Sequence, residues 1–405
     1  MRILWLKTEL LHPLDKGGKI RTYHMLRGLR EHAHVTYLTL ADGRAEQDAS
    51  ISAREYCDEL LAVPFSPPLK GTAAYYAALL GNLASRLPYA VARYRSPAMR
   101  AAITRATRDR RIDLVVCDFL VSAINFPRGL GVPAVLFQHN VEAAIWARQV
   151  QVARSLMMRA YMGEQWRRMR AFEQRECQRF DHVIAVSEAD RDAFRVEYGV
   201  TRVSAIPTGV DVDFFRPSAR AKPASTEIVF VGSMDWMPNI DAVAWFVTDV
   251  LPLVRRQISE ASLTIVGRDP TPTVRELSAR VHGVTVTGTV PDVRPYLERA
   301  ALVVVPLRVG GGTRLKIFEA MAMEKAIVST HIGAEGLPIR GGEELLLADD
   351  PPSFAAAVVS LLRNDAMARR LGEAAAARVR RDFGWAAVTK QFTALCERVA
   401  QADCP

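Results

Sequence analysis

The sequence predicts an α/β protein made of two doubly wound parallel sheets that face each other across a cleft. Each half of the 405 residues alternates short apolar runs with longer segments whose apolar residues recur with helical spacing. Most of the apolar runs are continuous, as in parallel strands that are covered on both faces. A stretch rich in Pro, Ser and Asp at 206–226 separates the halves, and a chain of this length exceeds one core.

The first half begins with a strand rather than a signal peptide, because "MRILWLK" is short and runs straight into "TELLHP". Helical segments such as "GGKIRTYHMLRGLREH" connect its strands. The five cysteines are scattered and odd in number, which predicts reduced cytoplasmic thiols. The strand candidates of this half are "RILWLK", "HVTYLTL", "ELLAVPF", "DLVVCDF", "PAVLFQH" and "HVIAVS".

The second half repeats the alternation and then becomes helical to the end. From residue 351 onward the pattern predicts three helices, the last of them opened by Gly384. Ligands in doubly wound sheets bind at the carboxyl ends of the strands, so the loops that follow the strands are where we expect a site. The strand candidates of this half are "EIVFVGS", "LTIVG", "VTVTGTV", "LVVVPL", "AIVST" and "ELLLAD".

A glycine turn between the strand "ALVVVPL" and the helix "TRLKIFEAMAM" is the clearest candidate site. Backbone N–H groups at such a turn, together with the helix dipole, favour binding of an anion. Arg314 can form bidentate hydrogen bonds with phosphate oxygens. Lys316 and Glu319 share one helix face, where the carboxylate can accept two ribose hydroxyls. This set fits a nucleoside diphosphate, although it lacks the P-loop spacing. The alternative is a glycine turn with surface charges.

The net charge of +9 is concentrated in the first half. Residues 86–111 hold eight arginines against one acid, and 148–179 hold eight against three glutamates. These stretches are either solvated helix faces or a surface for an anionic bilayer, a phosphorylated substrate or nucleic acid. "ARSLMMRAYM" suits an amphipathic helix on lipid. Nucleic acid is the least favoured of these partners, because no nucleic-acid-binding motif accompanies the charge. No stretch is long and apolar enough to predict a membrane-spanning helix.

Three motifs, "GGGTRLKIFEAMAMEKAIVST", "IPTGVDVDFFRP" and "HVIAVSEAD", resemble the family-4 glycosyltransferases of the GT-B fold. The resemblance covers nearly the whole chain, is most specific over 226–336, and is greatest to bacterial exopolysaccharide-associated sugar transferases. It implies two Rossmann-like domains, an acceptor-side domain at 1–205 and a nucleotide-sugar domain at 206–383. A last helix at 384–405 would return to the first domain. It also implies a retaining and usually metal-independent enzyme.

The resemblance assigns the donor site residue by residue. Glu319 matches the ribose-binding glutamate of the family's E-x7-E motif, whose first glutamate is replaced here by Gly311. A backbone N–H at Gly311 or Gly312 could then contact the sugar, with Thr313 and Leu315 beside them. The family's Arg and Lys after the first strand of the second domain are absent from "GSMDWMPN". We therefore hypothesise that Arg314 and Lys316 bind the diphosphate instead.

The remaining assignments follow from the loops at strand ends. "DKGGKIR" resembles the N-terminal glycine loop, and "LFQHNVE" directs the active-site histidine into the mouth of the cleft; a lone histidine can also be structural. Loops after three strands of the second domain would line the phosphate pocket and the base. The residues concerned are Gly17, Gly18, His139, Gly232, Ser233, Gly267, Arg268 and Val290.

The expected chemistry requires no cofactor and no metal. Arg314, Lys316 and helix N–H groups would stabilise the departing nucleoside diphosphate. Retention implies attack from the leaving group's own face, so a phosphate oxygen rather than a carboxylate would be the base. "DVD" at 211–213 could hold a divalent metal in another fold, but its place in a Pro-rich linker favours a turn.

The leading hypothesis is sugar transfer from a UDP- or GDP-sugar to a glycan or a lipid-diphosphate-linked acceptor. It would take place in the cytoplasm, either away from the membrane or at the inner face of the plasma membrane. The alternatives are a nucleotide-sugar epimerase of the same fold and a catalytically silent scaffold of a polysaccharide assembly complex. The epimerase would need a pair of carboxylates that cannot be placed in this sequence, and Arg314, Lys316 and Glu319 argue against the scaffold.

Overall fold

The computed structural model describes residues 1–14, 17–42, 51–153, 155–218, 226–309 and 315–402. The chain divides into two compact units, residues 1–207 with 388–405 and residues 208–387. The predicted boundaries after residues 205 and 383 lie close to this division. Helices cover both faces of a parallel sheet in each unit, which is the two-sheet α/β architecture that the alternation of apolar runs predicts.

The first sheet has seven parallel strands in the order β3-β2-β1-β4-β5-β6-β7. The order reverses between β1 and β4, so the switch point lies where these two neighbours end. All six predicted strands are present, and the short β7 was not predicted. The strands are β1 (Arg2–Lys7), β2 (His34–Ala41), β3 (Glu59–Pro64), β4 (Leu114–Asp118), β5 (Ala134–Phe137), β6 (His182–Ala185) and β7 (Val203–Ala205).

Helices pack on one face of this sheet through alternate apolar residues of β1, β4 and β5. A 3₁₀ turn, Leu120–Asn125, follows β4 directly. The helices of the unit are α1 (Gly17–Arg30), α2 (Ala73–Asn82), α3 (Tyr89–Ala92), α4 (Pro97–Asp109), α5 (Glu142–Val152), α6 (Leu156–Cys177) and α7 (Glu188–Tyr198).

The second sheet has six parallel strands in the order β10-β9-β8-β11-β12-β13, with its switch point between β8 and β11. All six predicted strands of the second half are present. They are β8 (Glu227–Val231), β9 (Ser262–Val266), β10 (Val284–Val286), β11 (Leu302–Val305), β12 (Ala326–Ser329) and β13 (Leu346–Leu347).

The helices of the second unit enclose one continuous apolar core. They are α8 (Met237–Trp245), a π-helical turn (Phe246–Val250), α9 (Leu251–Arg255), α10 (Pro272–Arg280), α11 (Arg294–Arg299), α12 (Leu315–Ala322), α13 (Pro351–Arg363) and α14 (Asp365–Asp382). The continuous segment Met237–Arg255 has the length and hydropathy of a membrane span, unlike the prediction. Its apolar side chains, among them Val243, Phe246 and Val250, are buried in this core, so it packs as a core helix.

The last helix, α15 (Trp385–Gln401), belongs to the first unit from Val388 onward. Its Phe392 ring lies 5.7 Å from Trp5 and 5.1 Å from Phe137, both on strands of the first sheet. Its Thr389 lies so close to Gly28 of α1 that a Cβ there would come within 2.4 Å of the threonine methyl. The three predicted C-terminal helices are therefore present, and the last one contributes to the core of the first unit.

Candidate functional site

A buried carboxylate lies at the switch point of the first sheet. Asp118 is the last residue of β4, is 0% exposed, and accepts hydrogen bonds at both of its oxygens. Three donors converge on Oδ2: Lys7 Nζ at 2.8 Å, Thr22 Oγ1 at 2.6 Å and Trp5 Nε1 at 3.1 Å. These donors come from β1 and α1, because the ends of β1 and β4 lie side by side and α1 passes over them.

Lys7, the last residue of β1, supplies the counter-charge. Burial lowers the pKa of Lys7, while Asp118 opposes this effect. Burial by itself would raise the pKa of Asp118, but the Lys7 ammonium and His139 outweigh it and hold that pKa below its usual value. An ion pair of this kind is stable inside a protein only when its hydrogen bonds are satisfied, and Thr22 and Trp5 complete the set.

His139 follows β5 and is fixed by the other oxygen of the same carboxylate. Its Nε2 lies 2.7 Å from Asp118 Oδ1, and its ring stacks on Phe119 with centroids 3.7 Å apart and planes 13° apart. Burial lowers the pKa of His139 to about 3, although Asp118 opposes the change. The ring is therefore neutral near pH 7. Because the ionised Asp118 only accepts, His139 donates from Nε2 and keeps Nδ1 as an acceptor.

The backbone at Phe119 is strained to reach this stack. Its φ of 67° and ψ of 145° lie outside the regions that a bulky L-residue normally occupies. Strain of this kind costs about 1–3 kcal/mol and is concentrated at functional sites. The ring also covers Lys7 Nζ, which lies 4.1 Å from its centroid. Phe119 thus covers the buried ion pair on one side and supports the histidine on the other.

One expectation about this unit needs correction. Gly17 and Gly18 were predicted to form a loop, but they are the first residues of α1. Gly18 is required by packing, since a Cβ there would lie 2.6 Å from Phe119 Cζ. The direction predicted for His139, into the mouth of a cleft, stays a prediction; its ring is 6% exposed and its Nε2 is held by the buried Asp118.

Arg21 is a second buried cation beside this cluster. Its Nη2 donates to Ile206 O at 2.8 Å, and its guanidinium lies 4.5 Å from the centroid of the Phe137 ring. Burial lowers its pKa to about 9. Its Nε and Nη1 are buried without a hydrogen-bond partner in the described part of the chain. The arginine therefore ties α1 to the segment by which the chain leaves the first unit.

The second candidate site lies where β8 and β9 end. Gly232 N donates to Val266 O at 2.9 Å, and a Cβ at Gly267 would lie 1.7 Å from Gly232 O. A side chain is therefore excluded at Gly267 by the neighbouring backbone. Arg268 Nε donates to Ser233 Oγ at 2.9 Å, which brings a guanidinium to the loop after β8. These loops carry the predicted residues Gly232, Ser233, Gly267 and Arg268.

Lys316 reaches the same loop from helix α12. Its Nζ donates to Asn239 Oδ1 at 2.8 Å and lies 4.3 Å from the centroid of the Phe230 ring. Asn239 Nδ2 in turn donates to Ser233 O at 2.8 Å. A Cβ at Gly232 would lie 2.7 Å from the Lys316 ammonium, so the absence of a side chain lets the cation approach the backbone.

Glu319 lies one helical turn after Lys316 and is half-buried. Burial raises the pKa of Glu319 to about 7, and Lys316 acts in the opposite direction. Within residues 1–14, 17–42, 51–153, 155–218, 226–309 and 315–402, no hydrogen bond is donated to this carboxylate. An ionised carboxylate can accept several hydrogen bonds, so a half-buried one beside a cation is suited to bind hydroxyl groups.

Four predicted residues of the glycine turn, Gly311, Gly312, Thr313 and Arg314, lie outside the described residues. Leu315, predicted to adjoin the donor, is half-buried and begins α12. The helix that carries Lys316 and Glu319 lies within the segment "TRLKIFEAMAM" that was predicted to be helical.

A cavity of about 330 Å³ lies beside the carboxyl ends of β9 and β10. It is large enough for part of a nucleoside. Val290, predicted to touch the base, packs partly buried against the core and does not line this cavity. The lining residues are Asp269, Pro270, Arg275, Ser278, Val286, Thr287, Gly288 and Thr289.

Family models match both units of the chain. The model described as Glycosyltransferase Family 4 matches residues 16–214, and the model described as Glycosyl transferases group 1 matches residues 225–364. The first covers Thr22, Asp118 and His139, and the second covers Lys316 and Glu319. The chain belongs to glycosyltransferase family 4.

Similar proteins agree with this membership. An uncharacterized 44.6 kDa protein in the cps region of Klebsiella pneumoniae is 20% identical and covers 90% of this chain and 91% of its own. The phosphatidyl-myo-inositol mannosyltransferase of Mycobacterium leprae is 31% identical over 54% of this chain and 59% of its own. The structure of Anabaena HepE in complex with UDP has a TM-score of 0.67 at 15% identity, covering 98% and 100% of the two chains. The fold of this family-4 glycosyltransferase is GT-B.

Four site residues of this family-4 glycosyltransferase were not predicted from the sequence: Lys7, Thr22, Asp118 and Asn239. Lys7 and Asp118 could have been recognised as candidates, since each is a charged residue that ends an apolar parallel strand. The order of the strands, which makes these two ends adjacent, was not visible in the sequence. Asn239 had no signal, because its role depends on the approach of Lys316 from a distant helix.

The "DVD" segment of this glycosyltransferase forms a turn. Asp211 Oδ1 accepts hydrogen bonds from the backbone N–H groups of Asp213 and Phe214, at 3.2 and 2.9 Å. The Asp211 carboxylate therefore stabilises a turn of the backbone, which is the alternative that the sequence favoured over a metal site. The described residues contain no group of three or more His, Cys, Asp or Glu side chains arranged for a metal ion.

Proposed function

We propose that this glycosyltransferase transfers a hexose from a nucleoside diphosphate donor to a glycan or a lipid-linked acceptor. The observation that carries the proposal is the pairing of Lys316 and Glu319 on one face of α12. The ammonium lies on the Gly232–Ser233 loop, where a diphosphate would lie, and the carboxylate can accept two ribose hydroxyls. HepE, which has the same fold, was solved in complex with UDP, and this supports a nucleotide donor.

In the proposed reaction the nucleoside diphosphate leaves with its electron pair and its negative charge. Lys316 stabilises the charge as it develops on the diphosphate, and Arg314 and the N–H groups at Gly311 and Gly312 act with it. Arg268 adds a third cation, because its guanidinium already bonds to Ser233. Breaking of the bond to the anomeric carbon is thus favoured without a metal ion.

We assign the sugar-facing role in the first unit to His139. A neutral imidazole that donates to Asp118 keeps Nδ1 as an acceptor, so it can hold a sugar hydroxyl but cannot act as an acid near pH 7. The acceptor hydroxyl loses its proton to a phosphate oxygen of the leaving group on the same face of the sugar. The anomeric configuration is therefore retained.

The acceptor and the biological role follow from the relatives of this chain. The resemblance to exopolysaccharide-associated transferases and the Klebsiella relative in the cps region favour synthesis of a cell-surface polysaccharide. The mycobacterial relative, named for a phosphatidyl-inositol acceptor, favours an acceptor carried by lipid. We place the reaction at the inner face of the plasma membrane, with the enzyme in peripheral contact with anionic lipid.

A thermal-shift panel followed by product analysis tests this function. We expect one of UDP, GDP or ADP, and the corresponding sugar nucleotide, to raise Tm, because ligands that bind the native state stabilise it. Slow release of sugar from that donor, with its anomeric configuration followed by NMR, should accompany binding. Conversion of the donor to an isomer would instead identify an epimerase, and the absence of binding by every nucleotide would identify a scaffold.

A further inference from the structure

Helix α2 is apolar on all sides and yet lies on the surface. Its sequence, "AAYYAALLGN", has no charged residue, and of its ten residues only Asn82 is buried. Leu80 is 68% exposed and Tyr76 is exposed as well. A helix that is apolar all round is normally found in a core or in lipid, because its exposure to water is unfavourable. This exposure favours an apolar partner that the described residues of the chain do not provide.

The first turn of α6 is exposed and apolar as well. Leu156 and Met157 are 85% and 84% exposed. The two helices are joined, because Arg168 of α6 donates to Asn82 O at 2.8 Å and to Leu83 O at 2.9 Å. We call this surface the α2–α6 face; its exposed apolar residues are Leu69, Tyr76, Leu80, Leu83, Leu156, Met157 and Met158.

Both segments that form the α2–α6 face are free of acidic residues. From residue 60 to 108 the sequence contains no Asp or Glu, and from 143 to 163 again none. These two stretches nevertheless carry cations, and several of them, including Lys70, Arg86 and Arg159, are exposed. The cations of the two stretches are Lys70, Arg86, Arg93, Arg95, Arg100, Arg105, Arg108, Arg148, Arg154 and Arg159.

We propose that the α2–α6 face docks on an anionic lipid bilayer, with its apolar side chains in the acyl boundary and its cations at the head groups. Apolar side chains bordered by Lys and Arg are the pattern of interfacial helices. A second copy of the chain fits less well, because dimerisation through this face would bring two acid-free cationic stretches together. The sequence predicted a lipid contact through arginine-rich stretches and the segment "ARSLMMRAYM" at the start of α6, and α2 adds a second apolar surface to it.

This inference rests on the proposed function in one respect: a lipid-linked acceptor would lie in the membrane, where the enzyme must reach it. Docking itself requires no donor and no turnover. Lipid binding and donor binding can therefore be measured separately on the full-length chain, and failure of one does not imply failure of the other.

Sedimentation with vesicles tests the proposal. We expect the wild type to bind vesicles of phosphatidylcholine with phosphatidylglycerol, and to bind pure phosphatidylcholine at least tenfold less, since each cation near an anionic surface changes binding by roughly fivefold. The double variant Leu80→Ser/Leu156→Ser should lose at least tenfold in binding to the anionic vesicles, because each leucine buries apolar area. If that variant does not fold, Leu69→Ser/Leu83→Ser replaces two other leucines of the same face and should lose vesicle binding in the same way.

Val196→Ser is the matched control, because Val196 is also 84% exposed but lies on α7, whose first turn carries Glu188 and Asp190. It should bind vesicles as the wild type does, and all variants should keep the thermal shift given by the nucleotide. Equal vesicle binding by the wild type and both leucine pairs would overturn the proposal. So would dimerisation without lipid, in sedimentation velocity, that the leucine variants abolish, since the face would then bind a second copy.

Discussion

Asp118 Oδ1 lies 2.7 Å from His139 Nε2, while the other oxygen of the same carboxylate bonds to Lys7 Nζ at 2.8 Å. One buried charge therefore serves two purposes. It balances the Lys7 ammonium at the switch point of the first sheet, and it selects the tautomer of the histidine that we assign to the sugar. The stability of the first unit and the chemistry of its site are thus linked through a single side chain.

We predict that Asp118→Asn destabilises the protein by about 3–5 kcal/mol, because it leaves the buried Lys7 charge without a partner. The variant should also place the histidine proton on Nδ1 in part of the population, because the amide can donate to Nε2. Urea unfolding measures the first effect, and ¹⁵N chemical shifts of His139 measure the second.

Asp113→Asn is a control for this prediction, since Asp113 lies just before β4, is exposed, and accepts a hydrogen bond from the exposed backbone N–H of Arg2. It should change stability by no more than about 0.5 kcal/mol, as other surface substitutions do. An Asp118→Asn protein with wild-type stability and an unchanged His139 tautomer would show that the carboxylate has neither role.

Gly18→Ala should be destabilising although it lies in a helix. The new Cβ would lie 2.6 Å from Phe119 Cζ, and the ring can move only by giving up its stack on His139. We expect a loss of about 1–3 kcal/mol, as for other overpacked sites, together with a lower kcat. Thermal unfolding and a donor-hydrolysis assay measure these effects.

Gly163→Ala is the matched control, because it replaces a helical glycine of α6 where, apart from the backbone of the helix itself, the described residues place nothing within 4 Å of the new Cβ. It should raise stability by roughly 0.5–1 kcal/mol, from the lower entropy of the unfolded chain and the better helix propensity of alanine. Equal effects of the two substitutions would mean that contact with Phe119 does not restrict Gly18.

Glu319→Gln should stabilise the ligand-free protein at pH 8. Burial raises the pKa of Glu319 from 4.5 to about 7, so the folded protein holds this proton more tightly than the unfolded chain does. The free energy of unfolding is therefore highest below pH 4.5 and falls as the pH rises to 7. A neutral amide avoids that loss, and we expect a gain of about 1–3 kcal/mol at pH 8 and little difference at pH 5.

Denaturant unfolding at the two pH values checks this prediction, with the exposed Glu373→Gln of α14 as a control. A gain for Glu319→Gln of the same size at pH 5 and pH 8 would rule out a raised pKa as its cause. A gain confined to high pH would show that the ligand-free site maintains an unfavourable charge, as expected where function competes with stability.

The sequence predicted the sheets well and the sites only in part. Continuous apolar runs marked every strand except β7, whose three residues are too few to form a pattern. Glu319 and Lys316 were predictable because one helix carries both. The Asp118–His139 pair was not, because the two residues come from different strands and their contact depends on strand order. The position of Gly18 also depended on a distant side chain, Phe119.

The most direct test of the donor site is calorimetric binding of the favoured nucleoside diphosphate and its 2′,3′-dideoxy analogue. We predict that Glu319→Gln weakens binding of the normal ligand by tenfold or more, as expected for lost hydrogen bonds to a charged group, and leaves the analogue unaffected. Lys316→Met should weaken both ligands alike, since it acts on the phosphates. If Glu319→Gln weakened both ligands equally, or neither, the assignment of this helix to the donor would be wrong.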